Sequence, residues 1–317
     1  MNMKQRMINS IPGPLLLRIA RNYISGQGHS SAIELAQANF EKFGFYSTID
    51  MLGESVETEE DARYYTEQYS RLVHDLQDKN MKYSTVSLKP SSMGLCLRTD
   101  LIDKAKAKDI CLNNIKSITR CAQQDSINII GVTIDMEQSY LVDDTLDIYR
   151  SLRNSFNNIG TVLQSGLYRT KDDIQDLTDV LGRMRICIGV YQEPPNIAYQ
   201  DKKSKKKALV SEVMDMLRLG YYVEVATHDT RILDEIIMRA RSQNVPYENF
   251  EFQWLLGVPI KQKKKDFYKD QNVKIRLYIP FYDSHKNAIR YLRRRVCEDT
   301  NLPICVIRNM FSTGYHI

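Results

Sequence analysis

Short apolar runs alternate with longer amphipathic segments between residues 43 and 299. The short runs predict eight strands, and the longer segments predict a helix after each of them. The predicted strands are Phe43–Met51, Tyr83–Lys89, Ile127–Asp135, Gly160–Gln164, Arg185–Tyr191, Tyr221–Thr227, Phe250–Leu255 and Lys274–Pro280. The predicted helices are Glu57–Leu76, Asp100–Gln123, Thr145–Phe156, Lys171–Leu181, Lys202–Leu219, Arg231–Ser242, Lys261–Lys269 and Ser284–Glu298.

This repeated order of strand and helix predicts parallel strands. Eight such units match a closed (β/α)₈ barrel of the TIM type, which typically has about 250 residues. An open doubly wound sheet is the alternative, but it usually has fewer strands. The sequence also lacks a GxGxxG motif after the first strand, and Gly26-Gln27-Gly28 is typical of a plain turn. We therefore expect an α/β barrel over residues 43–317, preceded by a helical lead-in over residues 1–42.

Composition and charge fit an ordinary globular protein with one basic feature. Of 317 residues, 43% are hydrophobic and 26% are charged, which excludes collagen-like and extensively disordered chains. The net charge of +5 is concentrated in residues 202–207 and 261–265. Solvated surface faces explain these runs simply. The alternative is contact with an anionic membrane surface, where each basic residue adds about 1 kcal/mol. Nucleic-acid binding is not expected, because no basic motif interleaved with aromatic residues is present.

Several motif classes are missing from the sequence. No run of about 18 apolar residues predicts a membrane span, and Arg18 and Arg21 directly follow Leu15-Leu16-Leu17, which excludes a secretory core there. The six cysteines form no CxxC pair, and no HxH, HExxH or GxSxG motif occurs, so neither a metal site nor a serine nucleophile is predicted. Unpaired thiols make a reducing, cytoplasmic location the expectation.

Polar residues stand at the carboxyl end of nearly every predicted strand, where barrel enzymes place their chemistry. Each one alone is explained by a strand-end cap or a turn. Together they predict a site, because an ionisable group that ends a buried strand is costly unless it is paired or used. The set comprises Asp50, Glu54, Lys89, Asp135, Glu137, Gln164, Arg185, Tyr191, Thr227, His228, Asp229, Gln253 and Tyr278.

The last predicted helix carries a second cluster, in which Tyr291, Arg294, Arg295 and Glu298 share one face. A surface pair between Arg294 and Glu298 would explain the glutamate but not two adjacent arginines beside a tyrosine. Paired guanidinium groups suit a carboxylate or phosphate, and Lys89 would add a third positive charge. The pattern predicts an anionic small-molecule substrate and, without a metal motif, an organic cofactor.

Motifs in consistent order along nearly the whole chain match one enzyme family. They are Met51–Val56, Val86–Lys89, Ile134–Glu137, Val162–Gln164 with Leu167–Arg169, Gly189–Pro195 with Ala198-Tyr199, Ala226–Asp229, Phe250–Gln253, Arg276–Pro280 and Tyr291–Glu298. Together they resemble the bacterial monofunctional proline dehydrogenases. The resemblance implies a distorted (β/α)₈ barrel that binds FAD and oxidises L-proline to 1-pyrroline-5-carboxylate in proline catabolism. Hydride would pass from ring C5 to flavin N5, and the electrons would then pass to a membrane quinone.

The resemblance also implies roles for individual residues. The catalytic residues would be Asp135, which orients neighbouring donors, and Arg185, which stabilises the reduced flavin beside N5. Lys89, Arg294 and Arg295 would hold the proline carboxylate, while Tyr191, Tyr278 and Tyr291 would wall the ring. Glu54 would pair with Arg294 as a gate. FAD would contact Met136, Gln164, Arg185, Ile188, Gly189, Val190, Thr227, His228 and Glu298.

The chain departs from the family pattern at three places. Ile188 replaces a lysine, Asp283 replaces a glycine, and Ser165-Gly166 replaces an alanine-tyrosine pair. None of these is assigned to the substrate, so L-proline remains the expected substrate. The alternatives are a flavoenzyme for another cyclic amino acid such as hydroxyproline, a non-catalytic flavin-binding member, and a lyase using Lys89 as a Schiff-base nucleophile. Contact with the quinone implies a peripheral position at the inner face of a membrane.

Overall fold

The computed structural model describes residues 11–98 and 102–298, except the side chains of Ile19, Tyr291 and residues 294–298. Within them, eight parallel strands close into a barrel in which each strand pairs with the next and β8 pairs with β1. The strands are Tyr46–Met51 (β1), Ser84–Leu88 (β2), Gly131–Ile134 (β3), Ile159–Gln164 (β4), Arg183–Cys187 (β5), Tyr222–Ala226 (β6), Phe250–Leu255 (β7) and Lys274–Phe281 (β8). The predicted (β/α)₈ fold class is confirmed.

In the part of the chain that the structure describes, one α-helix follows each strand, and two α-helices precede β1. The leading helices are Gly13–Ala20 (α1) and His29–Phe43 (α2). The helices that follow the strands are Glu59–Asp78 (α3), Lys104–Gln124 (α4), Val142–Arg153 (α5), Thr170–Asp176 (α6), Lys202–Leu219 (α7), Thr230–Ser242 (α8), Gln262–Asp270 (α9) and His285–Glu298 (α10). No helix of the described ranges is both long enough and apolar enough to cross a bilayer. The division at residue 42 into a lead-in and a barrel stays a prediction.

Short polar side chains start several of the barrel helices at the same end of the molecule. The side chains of Thr58, Asp103, Asp201 and Asp229 accept hydrogen bonds from backbone N–H groups of the first turns of α3, α4, α7 and α8, respectively. Asp229, one of the polar residues predicted on the rim, is therefore explained by its role as the N-cap of α8. These caps end the βα loops and fix where each loop meets its helix.

Alternation along the strands separates two environments. Ile49, Val86 and Val225 are fully buried on faces that join the main hydrophobic core. The alternate positions point into the barrel, where Thr48 and Thr85 hydroxyls lie 2.8 Å apart and Arg183 donates to Glu224 at 2.6 Å. The interior is thus filled by hydrogen-bonded polar and charged side chains, and these continue up to the mouth of the barrel.

Three predicted strand boundaries are wrong by three or four residues, each for a local reason. The fifth strand ends at Cys187 instead of Tyr191, because Gly189 adopts a left-handed backbone with φ of +89° that leaves the sheet. Arg185 therefore lies inside the barrel, and 188–191 form a loop. The first strand begins at Tyr46 because α2 runs on to Phe43. The third begins at Gly131 because Asp125 accepts hydrogen bonds from the next backbone N–H groups and holds a turn there.

The leading helices are attached to the carboxyl end of β8. Leu16 and Ala20 of α1 pack with Leu292 of α10 in a small separate core. The segment after α1 continues this contact, since the N–H of Ser25 donates to the carbonyl of Pro280 at 2.8 Å. The α1 helix therefore fixes the position of α10, the helix that carries the predicted arginine pair.

Candidate active site

Asp135 is the centre of a hydrogen-bonded cluster at the carboxyl ends of the strands. Its Oδ1 accepts from Ser87 Oγ at 2.6 Å and from Arg185 Nη1 at 2.9 Å. Its Oδ2 accepts from the Tyr278 hydroxyl at 2.9 Å and lies 3.9 Å from Lys89 Nζ. These side chains come from β2, β3, β5 and β8 and from the loops that follow. The structure thus brings Lys89, Asp135, Arg185 and Tyr278 together at one mouth.

Lys89 lies between two carboxylates. Its Nζ donates to both oxygens of Asp50, at 2.8 and 2.9 Å, and both side chains are buried. Burial raises the pKa of the Asp50 carboxyl, and the charge of Lys89 opposes that shift. The positive charge expected from Lys89 is therefore balanced inside the site. The hydroxyl of Tyr69, which donates to the Ser87 carbonyl at 2.6 Å, packs beside this pair.

Arg185 crosses the interior of the barrel. Its Nε donates to Gln253 Oε1 at 2.6 Å, and its guanidinium lies 5.2 Å from the centre of the Tyr278 ring. Burial alone would lower the pKa of Arg185, but Asp135 and Glu224 outweigh it and raise the pKa. Among the described residues, Nη2 of Arg185 is buried and has no hydrogen-bond partner. A buried cationic N–H without an acceptor is costly and marks a place where a ligand atom would be stabilised.

Residues predicted to contact a flavin lie at the end of β4 and on the loops after β3, β5 and β6. Gln164 donates through Nε2 to the Glu137 carbonyl at 2.8 Å, which ties the loops after β3 and β4 together. A Cβ at Gly189 would lie only 2.6 Å from Gln164 Oε1, so the Gln164 side chain would have to move, and the φ of +89° also favours glycine here. Met136 is buried, Ile188 is half-buried, and Val190 is 41% exposed on the same loop cluster.

His228 has a defined protonation state. Its Nε2 accepts a hydrogen bond from the Leu255 N–H at 2.8 Å, so in the neutral ring Nδ1 carries the proton. Burial lowers the pKa of His228 to about 4. The ring is therefore a neutral donor at pH 7. Its neighbour Thr227 is buried and accepts from the Asp229 N–H at 3.2 Å through Oγ1.

Glu137 has a structural role that its rim position did not reveal. Its carboxylate accepts from the N–H and the hydroxyl of Ser91, at 2.8 and 2.7 Å. Burial raises the pKa of Glu137, while these hydrogen bonds oppose the shift. Similarly, Glu193 accepts from the N–H and hydroxyl of Ser139, at 2.8 and 2.6 Å, and links the loops after β3 and β5. These carboxylates hold βα loops in place around the mouth.

The predicted gate residue Glu54 is half-buried in the loop between β1 and α3. It lines a cavity of about 410 Å³ together with Tyr65, Asn287 and Arg290. Tyr191 is half-buried in the loop after β5. The side chains of four predicted residues on α10 lie outside the described part of the structure: Tyr291, Arg294, Arg295 and Glu298.

Several residues of the interior network have no role in the sequence prediction. They are Ser87, Arg183, Glu224, Glu251 and Arg276, and Gln253 was noted only for its position. A signal was present, since charged or polar residues recur at every second position of otherwise apolar strands, as in Arg183-Met184-Arg185 and Glu251-Phe252-Gln253. This alternation indicates an inward-facing polar row. Within the described residues, no three His, Cys, Asp or Glu side chains converge to hold a metal ion.

The chain is similar to known proteins over most of its length. The family model described as proline dehydrogenase matches residues 34–191 and 204–302. Proline dehydrogenase 2 of Bacillus subtilis is 31% identical over 293 residues, which cover 89% of this chain and 90% of the relative. Proline dehydrogenase of Deinococcus radiodurans is 29% identical over 297 residues, which cover 92% and 90% of the two chains.

Solved structures share the fold. Proline utilization A (PutA) of Bdellovibrio bacteriovorus, inactivated by N-propargylglycine, superposes with a TM-score of 0.78 at 20% identity and covers 94% of this chain. This chain spans about a third of that PutA chain, 34% by alignment. The closed barrel with polar side chains gathered at one mouth defines a (β/α)₈-barrel enzyme. Within that class, the chain belongs to the proline dehydrogenase family.

Proposed function

We propose that this chain oxidises L-proline to 1-pyrroline-5-carboxylate in proline catabolism, with FAD held at the carboxyl end of the barrel. The main support is the Asp135 cluster, in which Ser87, Arg185 and Tyr278 all donate to one carboxylate beside Lys89. Such an arrangement pre-positions a guanidinium and a phenol before any ligand binds. Family membership supports the same activity.

The described residues fit FAD. Among the described residues, Arg185 presents a buried N–H donor without a partner, a Cβ at Gly189 would crowd the Gln164 side chain, and His228 is a neutral donor. When bound, FAD would supply the hydride acceptor, and we propose a membrane quinone as the final electron acceptor. We assign its binding to Met136, Gln164, Arg185, Ile188, Gly189, Val190, Thr227, His228 and Glu298. We assign Arg185 to the electron-rich part of the reduced group, because it is a buried cation whose Nη2 has no hydrogen-bond partner among the described residues.

The proline carboxylate needs a positive charge that is not already balanced. Lys89 is paired with Asp50, and Arg185 is paired with Asp135. We therefore propose that Arg294 and Arg295 supply the net positive charge and that Lys89 acts as a directed hydrogen-bond donor. Glu54 would close over the site by pairing with Arg294.

The ring of the substrate would lie against Tyr191, Tyr278 and Tyr291. Tyr278 donates to Asp135, and burial raises the pKa of its hydroxyl well above the ordinary value. It therefore stays a neutral phenol, and its orientation is fixed by the hydrogen bond. Asp135 holds three donors in place, and we assign it to orientation of the catalytic groups.

The visible spectrum tests this proposal directly. Purified protein should carry a flavin absorbance that bleaches on anaerobic addition of L-proline and should produce 1-pyrroline-5-carboxylate. A protein without flavin would contradict the proposal, while bleaching by hydroxyproline but not by proline would reassign the substrate. Bound flavin with no reduction by any cyclic amino acid would indicate a non-catalytic member. The Schiff-base lyase is disfavoured, because Nζ of Lys89 is already engaged with both carboxylate oxygens of Asp50.

We also propose that the mouth of the barrel contacts an anionic membrane surface, where the quinone resides. Helices α7 and α9 begin at this end, so both lysine runs lie on the rim. Lys206 and Lys264 are paired with Asp229 and Asp234, while Lys203, Lys207 and Lys263 are exposed. Phe267, in the second turn of α9, is 40% exposed beside them. Exposed lysines next to an aromatic residue are typical of interfacial contacts.

Sedimentation with vesicles containing phosphatidylglycerol tests the membrane contact. Binding should fall when Lys203 and Lys207 are replaced by Glu and when salt is raised. The matched control makes the same change, to Glu, at Lys79 and Arg241. These residues lie where α3 and α8 end, at the opposite side of the barrel. Equal loss of binding in both variants would contradict a specific docking face.

A further inference from the structure

Gln253 connects Arg185 to the part of the barrel interior that lies farther from the mouth. It lies on β7 and is 3% exposed. Its Oε1 accepts from Arg185 Nε at 2.6 Å, and its Nε2 donates to Glu251 Oε1 at 2.8 Å. An arginine can only donate and a carboxylate can only accept, so the amide has one favourable orientation. Both of its polar atoms are therefore occupied.

Glu251, at the other end of this link, is itself held firmly. It is fully buried and accepts from Nε of Arg276 at 2.5 Å and from its Nη2 at 3.1 Å. The Tyr222 hydroxyl donates to it at 3.0 Å. The amide of Gln253 thus joins the guanidinium of Arg185 to the ion pair of Arg276 and Glu251, which is itself held in place.

Arg185 has a competing acceptor nearby. Oε2 of Glu224 lies 3.6 Å from Arg185 Nε, and among the described residues this oxygen has no hydrogen-bond partner. A charged acceptor binds a guanidinium more strongly than a neutral amide oxygen does. Without the amide at position 253, the guanidinium would turn toward Glu224. That movement would weaken its contact with Asp135 and redirect Nη2.

We propose that Gln253 is a positioning residue: its amide holds Nε of Arg185 away from Glu224, so that the guanidinium faces Asp135 and keeps Nη2 available to the cofactor. A neutral side chain is required there. A carboxylate at this position would lie against Glu251 and would also balance the charge of Arg185. This inference rests on the proposed function, because it takes Arg185 to act on a bound flavin.

The midpoint potential of the bound flavin tests the proposal, since a merely structural residue would not change it. Gln253→Met should weaken the preference for the reduced flavin about tenfold, which is about 30 mV for a two-electron couple. The KM for proline should stay within about twofold while kcat falls, because the hydrogen bonds of Gln253 run to Arg185 and Glu251, neither of which is assigned to the proline carboxylate. Gln243→Met, at an exposed glutamine after the end of α8, is the matched control.

A double-mutant cycle separates positioning from a general effect on the barrel. In a Glu224→Gln background the competing acceptor loses its charge, so the shift caused by Gln253→Met should be less than half as large. An equal shift in both backgrounds, or no shift at all, would overturn the proposal. If Gln253→Met does not fold, Gln253→Asn carries the same test, because its shorter amide cannot bridge both partners. A wild-type protein without flavin would refute the proposed function instead.

Discussion

Lys89 and Asp50 form a buried ion pair at the mouth of the barrel, with Nζ 2.8 and 2.9 Å from the two carboxylate oxygens. Asp50 is fully buried at the end of β1, and Lys89 directly follows β2. The pair places a directed donor at the site without adding net charge. It also makes each partner dependent on the other, because an isolated buried charge is poorly solvated.

Removing one partner should therefore cost more than removing both. We expect Asp50→Asn to lower the free energy of unfolding by about 3–5 kcal/mol, because Lys89 loses its counter-charge. The double variant Asp50→Asn with Lys89→Met should recover part of that loss. Urea unfolding of the two single variants and the double variant measures this. If the losses simply add, the pair is not coupled.

The arginine pair on α10 should control substrate affinity. Arg295→Met should raise the KM for L-proline about ten- to hundredfold, because a carboxylate loses a charge-assisted hydrogen bond worth about 1.5–3 kcal/mol. The matched control is Arg293→Met on the same helix, where the guanidinium donates to the Ile11 carbonyl at 3.0 Å instead. Steady-state kinetics should show a near-normal KM for the control. An equal rise in both would indicate damage to α10 itself.

We expect cofactor binding to need Gly189 for its missing side chain as well as for its backbone conformation. Gly189→Ala places a Cβ 2.6 Å from Gln164 Oε1, and we expect at least a tenfold loss of FAD affinity. Gly44→Ala is the matched control, since its φ is also positive at +68° but a Cβ there meets no atom within 4 Å. The control should lose about 1–2 kcal/mol of stability from backbone strain alone. Flavin titration compares the two, and similar affinities would exclude the steric explanation.

His228 should make folding pH-dependent. Its pKa is 6.5 when exposed and about 4 in the folded chain, so the unfolded state binds more protons between these values. Stability should therefore be lost as pH falls from 6.5 to 4, by up to about 3 kcal/mol from this residue. His228→Gln retains an acceptor for the Leu255 N–H but does not titrate. Urea unfolding at pH 7 and pH 4.5 should show a smaller loss for this variant, and identical losses would contradict the assignment.

Much of the barrel follows from local sequence. Apolar runs of five or six residues and capped amphipathic segments need only their own side chains to indicate a strand or a helix. Because parallel strands end at one edge, the sequence also determined that Lys89, Asp135 and Tyr278 meet there. The boundary errors at β3 and β5 arose where an Asp side chain or a glycine redirected the backbone within a few residues, and the error at β1 arose because α2 runs on to Phe43.

The tertiary structure alone decided how these side chains pair. Gln253 and Ser87 bond to Arg185 across 68 and 98 residues of chain, and Tyr278 reaches Asp135 across 143. Such pairs depend on the closure of the barrel and on which inward positions share a layer, and no local pattern encodes either. The register between β1 and β2 placed Asp50 against Lys89 and so balanced a positive charge that the sequence alone indicated as available to the substrate.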